Sequence, residues 1–252
     1  MWSVNNHIHN RTGFWGPVDA NHSFCEPHYA VSPYCAEFFN SVSSLVFVVL
    51  AVSLRFPGGD RLVRASQVWL ALIGLGSITF HGSMRRTMQL CDEVPMVGFV
   101  ATLLVAKIVK PHPRVPDKLV PWLSGAAVLF SVALCACYVV FDQYEIFVHG
   151  FTLQCAVDGV LVHTMERHPR HGREQFRASI MSLVWILLGR VAWETEHNLC
   201  GRYPQLWPLH VLWHFLSCAS AYNSMVFAYL ARAKDDAELP RWIFSSQKKK
   251  VE

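Results

Sequence analysis

Three short segments concentrate the residue types that hold metals and move protons. His210-Val211-Leu212-Trp213-His214 sets two imidazoles at i, i+4, so both project from one face of a helix. Ser77-Ile78-Thr79-Phe80-His81 repeats that spacing with a hydroxyl and an imidazole, and Asp92-Glu93 adds carboxylates. Three imidazoles suit a catalytic Zn2+ with an open fourth position for water. Such a metal lowers the pKa of its water to about 7, and a nearby carboxylate can take the proton. His81, His210 and His214, with Asp92 and Ser77, are therefore the candidate site. A lone histidine at a helix end is more commonly satisfied by water or backbone; the case rests on all five residues meeting at one depth.

That depth follows from the elements that carry them. The chain has 252 residues, of which 52% are apolar and only 16% charged, against roughly 25% charged in an ordinary soluble domain. Mean hydropathy is +0.26. Leu119–Phe141 runs 23 residues without a charge, Ala65–Met84 runs 20 and Phe38–Leu54 runs 17, where a helix needs about 20 to cross a bilayer. These stretches exclude a water-soluble globule, disorder, collagen and a small disulfide scaffold. Four further spans are expected near 94–109, with Lys107 snorkelling to the interface, 146–165, 178–193 and 209–231. The expected fold class is all-α: an integral membrane bundle of seven transmembrane helices over 38–231. A lumenal segment (1–37) would precede it and a cytosolic basic tail (232–252) would follow. Asp158 and Arg190 interrupt the fifth and sixth spans, where ionisable groups are costly. Either they pair with each other or each stays hydrated at an interface or cavity.

Charge sets the orientation. With the N-terminus outside, 17 of the 22 Lys and Arg residues fall on the inner side and 4 on the outer. That is a strong positive-inside bias. The net charge of +4 is accordingly read as a topology marker and not as a nucleic-acid footprint. Nothing in the first 37 residues resembles the apolar core of a cleaved signal. Asn10-Arg11-Thr12 and Asn21-His22-Ser23 are glycosylation sequons, useful only on a lumenal segment. Lys249-Lys250-Val251-Glu252 resembles a dilysine retrieval signal, read on a cytosolic tail. Together they point to the endoplasmic reticulum or Golgi. Cys135, Cys137, Cys155 and Cys218 lie within spans and suit packing. Cys35 and Cys91 are undecided. Cys25 and Cys200 lie in lumenal segments where a disulfide would persist, though spacing alone leaves their pairing open.

From Gly13 to about Ala231 the chain resembles the alkaline ceramidases, within a wider group of seven-span metal-dependent hydrolases. The resemblance rests on Gly13-Phe14-Trp15-Gly16-Pro17, Phe24-Cys25-Glu26 and Ala36-Glu37-Phe38-Phe39-Asn40-Ser41. It continues in Ser77-x3-His81, Gln89-Leu90-x-Asp92-Glu93, Trp193-x2-Glu196-x3-Cys200 and His210-x3-His214. It implies hydrolysis of the membrane lipid ceramide to sphingosine and a fatty acid, with no obligate protein partner. It also implies zinc on His81, His210 and His214, Asp92 as general base, Ser77 positioning the site or stabilising the oxyanion, and a Cys25–Cys200 disulfide.

The family also carries a regulatory calcium site. Its counterparts here are the backbone of Phe24 and the carboxylates of Glu26 and Glu37, but Ser23 stands where Asp is expected and His28 where Asn is expected. Calcium takes several hard, often anionic oxygen ligands, so Ca2+ is expected to bind weakly or not at all. Glu26 and Glu37 would then serve as a hydrogen-bonded brace. Alternative functions are a related seven-span hydrolase acting on another lipid, a seven-span receptor of the progestin and adiponectin type with the opposite topology, and a transporter using Asp158 and Arg190.

Overall fold

Long apolar runs without helix breakers become helices, and the turns fall where proline, glycine and charge cluster. The computed structural model describes residues 12–59, 61–109, 116–234 and 236–243. The Asn10 sequon and the Lys249-Lys250 pair lie outside these residues. In chain order the helices are α1 (Phe38–Ser43), α2 (Leu45–Ser53), α3 (Arg61–Ser83), α4 (Arg86–Val109), α5 (Val120–Phe141), α6 (Tyr144–Thr164), α7 (Gly172–Leu199) and α8 (Pro208–Arg232). Two residues, β1 (Leu54–Arg55), pair antiparallel with β2 (Arg241–Trp242) and fold the chain after α8 back beneath α2.

Four segments are long and apolar enough to cross a membrane: Arg61–Ser83, Asp117–Phe141, Tyr144–Val162 and Gly172–Leu199. The first expected span is shorter and is divided into α1 and α2 at Ser44. α4 and α8 have the length but carry more polar residues, because they face the inside of the bundle. Buried Leu70, Leu103, Met225 and Ala228 bring α3, α4 and α8 into one core with α2. α5 turns Trp122, Leu129 and Val140 outward, an apolar surface suited to lipid.

Two local features set the site. Gly76 lies so close to α4 that a Cβ there would meet the Cys91 carbonyl at 2.1 Å. Only glycine allows that approach, and it brings Ser77 alongside Asp92. Pro95 lies inside α4 and has no N–H for the Cys91 carbonyl, which leaves that carbonyl free at the contact. At the turn between α3 and α4, Met84 is wholly buried at φ 52°. Its carbonyl accepts the backbone N–H groups of Asp19 and Ala20, at 3.3 and 3.2 Å, docking the N-terminal segment over this end of the bundle.

The structure rules out one of the two alternatives for Asp158 and Arg190 and corrects the expectation for Lys107. Asp158 pairs with Lys107, not with Arg190. Lys107 does not snorkel; it is 1% exposed. Arg190 is held by Glu194, one turn along α7. The sequence places Asp158 and Arg190 on successive spans, but the faces that meet are those of α4 and α6. α4 begins at Arg86, earlier than the span expected near 94–109, which puts Asp92 and Glu93 well inside it.

Candidate metal centre

His81 comes from the last turn of α3, and His210 and His214 from the first two turns of α8. All three are buried, and one ligand nitrogen from each lies within 4.8 Å of the others. The remaining ring nitrogens are oriented from outside the triad. Ser43 Oγ donates to the Asn40 carbonyl at 3.0 Å and stands 2.7 Å from His214 Nδ1. With the hydroxyl proton on the Asn40 carbonyl, the Ser43 oxygen is left to accept from His214 Nδ1–H. His81 Nδ1 lies 2.7 Å from Glu37 Oε2, an arrangement that also puts the proton on Nδ1. His210 Nδ1 faces Glu196 Oε2 at 3.4 Å, within ion-pair distance but without a hydrogen bond. Each imidazole therefore has Nδ1 toward an oxygen and Nε2 free to ligate, the second-layer pattern of histidine metal sites. The donor set fits a zinc-like cation.

Ser77, Asp92, His210 and His214 line one end of a cavity of about 160 Å3. Ser77 Oγ lies 2.8 Å from Ser44 Oγ, and the Asp92 carboxyl faces the Ser77 hydroxyl. Glu93 is differently engaged: Gln89 Nε2 donates to it at 3.1 Å and the Tyr138 hydroxyl also donates to it. Of the two adjacent carboxylates, Asp92 is the one beside Ser77. Away from this end the cavity walls become apolar, with Leu70, Phe99 and Phe151 among them.

The N-terminal segment closes the site from the other side. The Phe24 ring lies 3.7 Å from that of His210, centroid to centroid. His22 stacks on Tyr144 at 4.3 Å and 8°. Burial, and then His197, lower the His22 pKa to about 3. Cys25 and Cys200 stand at disulfide-bonding distance with Cα atoms 5.4 Å apart. Cys25 N–H donates to Glu196 Oε1 at 2.8 Å. The amide of Asn21, in the second sequon, is turned onto Asp142 at 3.3 Å.

The residues matching the calcium site do not fit that ion. Glu26 Oε1 and Oε2 accept the N–H groups of Phe39 and Asn40 at 2.7 and 2.8 Å, at the start of α1. Glu37 Oε1 meets the N–H of Phe24 and His28 Nε2, while Oε2 meets His81 and the Asn40 amide. Nitrogen donors thus occupy all four carboxylate oxygens. Burial favours a protonated Glu37, but hydrogen bonds from His28 and His81 outweigh it and hold the carboxyl well below the usual range. The two glutamates act as a brace between the N-terminal segment, α1 and α3.

The residue pattern singled out the three histidines, Ser77 and Asp92. It left Glu37 between a doubtful calcium site and a brace, and missed its bond to His81. It had no signal for Ser43, which is an ordinary polar residue in an apolar run.

The profile of the family Ceramidase matches residues 16–248. An alkaline ceramidase of Arabidopsis thaliana is 27% identical over 246 residues, covering 91% of both chains. One of Caenorhabditis elegans is 26% identical over 84% of this chain and 81% of its own. Alkaline ceramidase 3 of Mus musculus is 37% identical over a shorter stretch, 35% of this chain and 34% of its own.

Proposed function

Since this chain belongs to the Ceramidase family, we propose that it is a membrane-embedded, zinc-dependent amidase that hydrolyses ceramide to sphingosine and a free fatty acid. The observation that carries the reading is the triad His81, His210 and His214. Glu37 orients His81 and Ser43 orients His214, Glu196 faces His210, and His210 and His214 line an apolar cavity beside Asp92.

Zinc on the three histidines would supply a Lewis acid and a water acidic enough to lose a proton near neutral pH. The protein supplies the rest. The Asp92 carboxylate takes the proton of the attacking water at an Oδ atom and returns it to the amide nitrogen. The carbonyl carbon gains a C–O bond, the C–N bond breaks, and the sphingoid base leaves as an amine. Ser77, held between Ser44 and Asp92, offers a hydroxyl to the carbonyl oxygen. Phe24 covers His210 and keeps bulk water out, while the apolar cavity holds an alkyl chain.

In this reading the bundle has seven spans, α1 and α2 forming the first. The N-terminal segment and the triad lie on the lumenal side and the basic loops on the cytosolic side, in the endoplasmic reticulum or Golgi. A lumenal Cys25–Cys200 disulfide fits that compartment. We infer no bound calcium, because the brace fills the position with N–H donors.

The test is purified protein with labelled ceramide, with zinc content measured alongside. His214→Ala is expected to lose zinc and reduce fatty-acid release to background. Retention of both at wild-type levels overturns the proposal.

A further inference from the structure

The cavity has a second end. Along α8 its lining runs from His210 to Ser224, and from His214, the nearer triad residue, to Ser224 is ten residues or about 15 Å of helix. Between these ends the walls include Leu70, Ile73, Phe99, Val100, Leu103 and Phe151. At the far end the lining changes to Asp158, Ser182, Ser220 and Ser224. Ser182 is bonded to both other serines, at 3.2 and 2.6 Å. A second, almost wholly apolar space of about 300 Å3 lies between α4, α5 and α6, lined by Leu104 and by Leu123, Phe130 and Val157, which are exposed on the outer face of the bundle.

Asp158 faces the first cavity and Lys107 the second, and their side chains are joined. The ion pair therefore stands between the first cavity and this outer apolar space. Stability alone does not account for it, since apolar residues of similar volume commonly replace a buried ion pair at no cost.

Resting on the ceramide reading above, we propose that the Lys107–Asp158 pair is a chain stop. It closes the first cavity about 15 Å from the triad and so determines how long an alkyl chain the enzyme accepts. A longer chain would have to drive its end against Asp158 and the serines, with polar groups where methylenes need apolar contact. Gly159 lines the same end, and a Cβ there meets nothing within 4 Å. It leaves the last part of the chain's space open.

The test is competitive hydrolysis of a ceramide mixture differing only in acyl length. It is paired with photolabelling by a ceramide whose acyl chain ends in a diazirine. In K107A/D158A this end of the cavity opens, and the rate ratio of long to short chains rises roughly tenfold or more. In G159L the space fills and the ratio falls by a similar factor. In wild type the label falls on α6 around Cys155–Val162; in the alanine pair it reaches α5 between Leu123 and Phe130. Should the alanine pair fail to accumulate, G159L and the wild-type label decide. Unchanged ratios in both variants, or wild-type label already on α5, overturn the stop. Absence of hydrolysis of any ceramide by wild type instead refutes the activity, and the label positions still judge the stop.

Discussion

His81 Nδ1 lies 2.7 Å from Glu37 Oε2, which joins a triad histidine of α3 to the residue just before α1. The same carboxylate meets His28 at 3.2 Å, so the N-terminal segment and the metal centre share one buried acid. Glu37→Gln keeps the shape but loses the anion that holds the Nδ1 proton. Changes to such partners typically cost 10–100-fold in metal affinity or activity. Zinc competition against a chelator is expected to show a loss of about that size. Unchanged affinity would reduce Glu37 to a brace.

Asp92 is assigned proton transfer and no ligation. Asp92→Asn should therefore keep zinc at wild-type content while lowering kcat by about 10²–10⁴-fold. Measuring both on one preparation separates a lost base from a lost metal, which His214→Ala cannot do. Glu93→Gln, at the neighbour held by Tyr138 and Gln89, should affect stability more than kcat.

His22 gives an acid-sensitivity prediction. Its pKa is about 3 in the fold and near 6.5 in the open chain. Between those values the unfolded state binds more protons, so stability is lost as pH falls from about 6.5 towards 3. His22→Phe keeps the ring against Tyr144 and removes this titration. Thermal midpoints from pH 7 to 4 should fall less steeply for the variant than for wild type. Parallel curves would show that His22 is not buried as described.

The Glu26–Glu37 brace predicts indifference to calcium. Fatty-acid release should be the same with and without a calcium-selective chelator that spares zinc. Stimulation by micromolar calcium would mean that the N–H donors on these carboxylates give way to the ion. Glu26→Gln leaves one of two α1 N–H groups without a carboxylate oxygen and should lower the thermal midpoint by a few degrees.

The sequence by itself fixed what one helix can determine. Helical period put His210 beside His214 and Ser77 beside His81, and the apolar runs Ala65–Met84 and Leu119–Phe141 marked helices able to cross a membrane. It also placed Cys25 and Cys200 as candidates for each other, through family resemblance. Tertiary structure decided whatever depends on which helix faces meet. Lys107, not Arg190, reaches Asp158 because α4 packs on that face of α6. Ser43 orients His214 across 171 positions of chain, and Glu37 turns to His81 because N–H donors fill its surroundings. Period and hydropathy are properties of a segment. A hydrogen bond between segments depends on their rotation and approach, which here Gly76, Pro95 and the docked N-terminal segment set together.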